Sequence, residues 1–323
     1  MSKLLKILGI LLAVVVVVAL GFYGWASWQT GRILAQTYES HAVDFPVPFP
    51  LSAAEADSLG LDSAAAATLA EERAVERGRH LLEARYGCNG CHGETFGGGV
   101  MVDVPILARL MGPNLTSGAG GRTPNFTPAD WDRIVRHGLL PGGRPAVMSA
   151  QDFQRMSDQE LSDLIAYLRS RPPVDSLPVP RAFGPLGKVL VATGQFVLPA
   201  TLIASHDAPH AVAPPPTAVT VEFGRHLAGP CMGCHQEDLA GGPILGGDPG
   251  WVPARNLTPH ATGLAGWTYE QFVAALRAGT RPDGTALREP MTFVQPHAEK
   301  MTDVEMEALW MYVQSVPPVA ARD

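Results

Sequence analysis

The chain has 323 residues, 46% of them hydrophobic and 17% charged, with a formal net charge of −7. That length is more than one small core needs and suits two domains of ordinary size. The absence of a basic block excludes a nucleic-acid surface, and 34 glycines with 29 prolines predict long irregular segments between helices.

At the amino terminus, after Lys3 and Lys6, the stretch from Ile7 to Gly31 carries no charge and is long enough to cross a hydrocarbon core as one helix. It exceeds the apolar run of a cleavable signal, and Tyr23, Trp25 and Trp28 read as an interfacial belt. Residues 1–30 are therefore predicted to be a membrane anchor rather than a signal cleaved at "GWAS". The two lysines then stay in the cytoplasm, and the rest of the chain lies beyond the inner membrane, on the periplasmic side. Residues 31–69, with the Pro-rich "DFPVPFP", predict an extended tether.

From about Ala70 the pattern is amphipathic, with Leu69, Ala74, Gly78, Leu81 and Leu82 on one side. It predicts a helix running into "YGCNGCHGE". The text then repeats. Cys88 recurs as Cys231 and Met148 as Met291 at one constant offset, and Asn114-Leu115-Thr116 recurs as Asn256-Leu257-Thr258. The two copies span residues 70–173 and 218–318. In each, a short helix is predicted after Thr127 or Thr268 as N-cap. A last helix follows a capping box, Ser157 with Glu160 or Thr302 with Glu305, and ends before Pro172-Pro173 or Pro317-Pro318. Residues 174–217 form a Pro-rich linker. Its apolar part, Val189 to Ile203, is short and contains Pro199, which argues against a second membrane span. Residues 319–323 are a tail.

All four cysteines lie in two C-x-x-C-H motifs, Cys88-Asn89-Gly90-Cys91-His92 and Cys231-Met232-Gly233-Cys234-His235. A disulfide in each pair leaves the histidines unexplained. A shared four-cysteine zinc site needs two complete repeats to meet at one metal. Covalent haem accounts for every letter, because two thiols three apart add to the two porphyrin vinyl groups and the adjacent histidine binds iron. The motifs thus predict two haem c groups, with His92 and His235 as proximal ligands. A sixth, methionine ligand raises the potential and fills the iron. Met148 and Met291 lie at the same distance beyond their cysteines, and Met156 and Met301, just ahead of the last helices, compete with them. His137 has Ala278 as its counterpart and is expected at the surface or behind a ligand. His80 and His226, in the repeated "GRHL", are expected on the helix surface or beside a haem propionate. His206 and His210 fit no pattern.

On these motifs the chain resembles the class I cytochromes c, and among them the membrane-anchored dihaem cytochromes c of bacterial periplasms. The resemblance covers both repeats. It implies an all-α fold of two tandem cytochrome c domains behind one transmembrane helix. It also favours Met148 and Met291 as the distal ligands, although Ser149 and Thr292 stand where the family usually has proline. Gly78 and Gly224 match the small first-helix residue, and Tyr167 and Tyr312 the aromatic of the last helix that packs on it. The family proline whose carbonyl holds the proximal histidine is matched by Pro113, and in copy two by Pro253 only at a changed offset. The chain is similar to cytochrome subunits of membrane-bound alcohol and sugar dehydrogenases, which often have three such domains, and to the dihaem subunit of haem–copper oxidases. The implied function is electron transfer from a quinol-oxidising or dehydrogenase partner to an oxidase or soluble carrier, with no small-molecule substrate and no catalytic residue. The alternative is a dihaem enzyme, of peroxidase or thiosulfate-oxidising type, with one exchangeable iron ligand.

Overall fold

The computed structural model describes residues 2–41, 43–244, 247 and 250–322, the side chain of Ser2 excepted. Met1 and Asp323, the ends of the predicted anchor and tail, lie outside the described residues. Helix α1 (Ser2–Ala35) is apolar between Lys6 and Gln29, and its first two-thirds stand clear of the rest of the chain. Within the segment expected to be an extended tether, Ser52 caps α2 (Ala53–Ser58) and Asp62 caps α3 (Ser63–His80). Each cap oxygen takes an N–H that the first turn leaves unpaired. The preceding stretch lies on copy one, where Phe45 is buried in the core and the Ser162 hydroxyl donates to the Pro46 carbonyl.

Helix α3 continues as a π-helical segment, Leu81–Tyr86, and stops at Gly87, whose φ of 58° is left-handed. Helix α4 (Asn89–His92) follows. After strands β1 (Gly99–Val104) and β2 (Ala108–Gly112) come α5 (Pro128–Arg136), α6 (Ala150–Phe153) and α7 (Asp158–Ser170). The linker carries β3 (Ala182–Phe183) and α8 (Pro185–Ala192). Copy two comprises α9 (Val221–Leu227), α10 (Gly229–His235), α11 (Tyr269–Ala278), α12 (Met291–Ala298) and α13 (Asp303–Ser315). The predicted capping boxes at Ser157 and Thr302 are present, and Thr127 and Thr268 cap α5 and α11 in the same way.

The all-α expectation needs one correction. Copy one contains an antiparallel sheet in the order β1-β2-β3. Its residues, "GVMVDV" and "ARLMG", supply β-branched and apolar side chains with free N–H groups. The matching stretch of copy two has Pro243 and Pro253, which donate nothing to a ladder, and among its described residues there is only an isolated bridge between Gly242 and Ala254. Strand β3 comes from the linker, which also lays α8 against α1, where the Thr30 hydroxyl donates to the Lys188 carbonyl at 2.8 Å.

In each copy the first and last helices cross at a glycine. A Cβ on Gly78 would lie 2.0 Å from the Asp163 carbonyl oxygen, and one on Gly224 would lie 1.9 Å from that of Ala308. Tyr167 and Tyr312 pack over the same points. The two cores form around these crossings, one on Leu82, Trp131 and Ile165, the other on Phe223, Phe272 and Met306.

The copies meet through exchanged side chains. His80 of copy one contacts Glu305 at 2.9 Å, and His226 of copy two contacts Glu160 at 2.8 Å. Arg85 reaches both, at 3.1 Å from Glu160 and 2.6 Å from Glu305. Both carboxylates also close the capping boxes of their own helices, so each holds a helix start and the partner copy together.

Two outcomes follow. Gly78→Ala and Gly224→Ala should each lower stability by about 1–3 kcal/mol through overpacking. Gly31→Ala, where nothing stands within 4 Å, should leave the urea midpoint unchanged. Burial disfavours the charged form of Glu305, but His80, Arg85 and the Thr302 N–H outweigh it and bring the carboxyl down to about 2 from an ordinary 4.5. A depressed folded pKa means stability that is present above about 4.5 and lost as pH falls toward about 2, on the order of 2–3 kcal/mol. Glu305→Gln keeps the cap and should flatten denaturation curves across that window.

Candidate functional site

Each C-x-x-C-H motif sits on a short helix at the end of a buried one. In copy one, Gly87 reverses the chain and α4 forms with the His92 N–H donating to the Cys88 carbonyl at 3.0 Å. In copy two the motif closes α10. Both turns end in left-handed backbone with positive φ, at Gly93 (76°) and Gln236 (67°). Cys88 and Cys91, like Cys231 and Cys234, are one helical turn apart, which puts both thiols of a pair on one side.

The histidines are buried, 6% exposed for His92 and 5% for His235. The His92 Nδ1 donates to the Pro113 carbonyl at 2.8 Å, and the His235 Nδ1 to the Arg255 carbonyl at 2.6 Å. A carbonyl only accepts, so each Nδ1 carries the proton and each Nε2 keeps its lone pair for a metal. Burial lowers both imidazole pKa values against the opposing effect of these hydrogen bonds, which favours the neutral, ligating form. Pro113 thus takes the expected part in copy one. In copy two the acceptor is Arg255, not Pro253, because a backbone carbonyl serves regardless of its side chain. What matters is its place directly before the Asn-Leu-Thr turn.

That turn is held in the same way in both copies. Asn114 Oδ1 accepts from the Thr116 N–H, and its Nδ2 donates to the Val174 carbonyl just past the double proline. Asn256 does the same with Thr258 and Val319. Asn256→Ala leaves the buried Thr258 N–H without its acceptor, while the Val319 carbonyl keeps the Thr258 hydroxyl, and urea unfolding should show a loss of about 1–3 kcal/mol.

No cysteine is in a disulfide. Burial pushes the Cys88 and Cys231 thiols up to about 12 and that of Cys234 to about 11, so the free thiols are protonated. Among the described residues, the one group of three or more His, Cys, Asp or Glu close enough to share an ion contains no cysteine. These thiols, with a free imidazole nitrogen beside each pair, fit covalent haem. Trp131 adds a buried indole N–H with no hydrogen-bond partner, a donor suited to an acceptor on a bound group.

Met148 lies half-buried in the loop before α6, and Met291 starts α12, also half-buried. Their rivals are packing residues. Met156 is 1% exposed in the first core, and its carbonyl accepts from Arg136. Met301 packs on the second core, and its carbonyl accepts from Arg277. Each methionine segment then lies on the other copy's attachment turn. A Cβ on Gly233 would collide with Asp152 of α6, and one on Gly87 with the ring of His297 of α12, whose Nδ1 donates to the Glu83 carbonyl.

Two expectations change here. His80 and His226 are neither free surface nor propionate-side residues, because the glutamates of the opposite copy bind them. His137 is buried, 1% exposed, among His41, His206 and His210. Sequence reasoning missed Arg85, Glu160 and Glu305 as inter-copy residues. The only available signal was that the two glutamates occupy equivalent positions.

The family described as cytochrome c oxidase, cbb3-type, subunit III matches residues 73–168, and the cytochrome c family matches residues 221–317. The cytochrome c subunit of the quinone alcohol dehydrogenase from Gluconacetobacter polyoxogenes is 29% identical over 279 residues, covering 77% of this chain and 57% of that protein. The chain therefore spans a little over half the length of that relative. A dihaem cytochrome c-type protein of Cereibacter sphaeroides is 25% identical over 274 residues, covering 76% of this chain and 86% of that protein. The fructose dehydrogenase cytochrome subunit of Gluconobacter japonicus is 34% identical over 102 residues, covering 29% of this chain and 21% of that one. With a cytochrome c domain on each repeat and a C-x-x-C-H motif for one covalent haem c in each, the chain belongs to the dihaem cytochrome c family of electron-transfer proteins.

Proposed function

We propose that this chain is a membrane-tethered electron carrier whose two haem domains work outside the cytoplasmic membrane. It takes electrons from a dehydrogenase or quinol-oxidising partner and delivers them to an oxidase or a soluble carrier. One observation carries this reading: each methionine segment packs on the attachment turn of the other copy. That reciprocal contact brings the two C-x-x-C-H turns to a common interface, as a two-centre relay requires.

The residues divide the work by copy. Cys88 and Cys91 would hold one haem c by thioether bonds, with His92 and Met148 as the side chains that would bind its iron. Cys231, Cys234, His235 and Met291 would hold the other. Haem c supplies a one-electron iron couple that methionine ligation poises at higher potential. The Pro113 and Arg255 carbonyls keep each imidazole oriented and basic. A histidine and a methionine on each iron would leave no coordination site for a substrate, as a carrier rather than a peroxidase requires.

The dehydrogenase partner is supported by the relatives, which are cytochrome subunits of alcohol, fructose and gluconate dehydrogenases. The membrane tether is supported by the charge-free run of α1, which is long and apolar enough to cross a bilayer. Domain limits of 70–173 and 218–318 are supported by the two crossing glycines and the two double prolines that bracket equivalent elements.

A redox titration with oxidised-state spectra of wild type, Met148→Ala and Met291→Ala tests the ligand set. Each substitution should remove one of two weak far-red bands of methionine-bound ferric haem and lower one midpoint potential. If both bands survive a substitution, that ligand is wrong. High-spin iron in the wild type together with peroxide turnover would replace the carrier with the enzyme reading.

A further inference from the structure

We propose that copy one holds a third metal centre, a divalent transition-metal site formed by His41, Asp132, His137 and His210. The four come from three separate segments: the stretch after α1, the α5 region, and the linker. One ligand atom from each lies within 4.8 Å of all the others. His137 Nε2 is 3.3 Å from His210 Nε2 and 3.4 Å from Asp132 Oδ2, and His210 Nε2 is 3.7 Å from Asp132 Oδ1. With metal–ligand bonds of about 2.0–2.1 Å, the edge of a tetrahedral site is about 3.3 Å. Three imidazoles and one carboxylate make a donor set suited to Zn2+ or Cu2+.

The hydrogen bonds around the cluster select the ligating tautomers. His206 Nε2 is 3.1 Å from the Ala200 carbonyl and must donate to it. In the neutral ring its Nδ1 is then an acceptor, and His137 Nδ1, 3.1 Å away, donates to it. His137 Nε2 is thereby left as a bare lone pair facing the cluster. His41 Nδ1, 3.2 Å from the His206 carbonyl, donates likewise and frees its own Nε2. Outer hydrogen bonds of this kind orient metal-bound histidines.

The carboxylate points the same way. Asp132 is fully buried, and its Oδ2 has no hydrogen-bond partner. Its Oδ1 accepts from Arg136 Nε at 2.7 Å, and Arg136 Nη2 pairs with Asp158 at 2.8 Å. One guanidinium thus stands against two carboxylates, which leaves negative charge for a cation. Copy two has Ala278 in place of His137, so the site belongs to copy one alone. The bound ion would staple the post-anchor stretch and the linker to the first domain.

The test uses the tag-free full chain in detergent, with both haems attached and treated with chelator. Calorimetric titration with Zn2+, and separately with Cu2+, should show one saturable equivalent for at least one ion. That uptake should vanish in His41→Ala and His210→Ala, both at partly exposed positions, while the haem spectra stay unchanged. It should weaken ~10–100-fold in His206→Ala, which removes only the outer hydrogen bond. Chelator should lower the melting temperature of wild type but not of His41→Ala. Failure of the wild type to bind either ion, or uptake that survives both ligand substitutions, overturns the proposal.

Discussion

Arg85 between Glu160 and Glu305 is the contact on which the arrangement of the two copies depends. Arg85, His80 and His226 meet two carboxylates in a region where the glutamate side chains are 2–3% exposed. Removing one partner there would strand a buried charge, which costs far more than an exposed pair gains. Because each glutamate is also the N3 residue of a capping box, its orientation is set before the copies meet. The exchange of His80 and His226 then permits one relative placement, the one that lays each methionine segment on the opposite attachment turn.

The two copies solve the same problem with different side chains. What they share is backbone geometry: a crossing glycine, a left-handed residue after the histidine, and a carbonyl directly before Asn-Leu-Thr. Copy one adds a sheet, the packed stretch around Phe45 and the buried histidine cluster. Among its described residues copy two has none of these, and its loop there is proline-rich. The linker is part of that asymmetry, because it lends β3 to copy one, packs α8 on α1, and supplies His206 and His210.

Much of the site was legible because it is written locally. C-x-x-C-H occupies five consecutive residues, and each capping box spans four. The repeat narrowed the methionines to two matched pairs, Met148 with Met291 and Met156 with Met301, and the family resemblance favoured the first. The sheet was not legible, since its strands are short and β3 is stabilised only by pairing with β2. Nor was the Arg255 carbonyl, because every residue has one and only folding chooses which is used.

By itself the sequence determined the number of haem sites, the two C-x-x-C-H motifs, the helix starts and the apolar run of α1. Each rests on bonds or periodicities within a few residues. The tertiary structure alone decided which carbonyl orients each imidazole, which glutamate meets which histidine, and that His41, His137 and His210 converge on Asp132. His80 and Glu305 are 225 positions apart. No spacing rule connects residues so distant, because their meeting depends on how two folded surfaces fit.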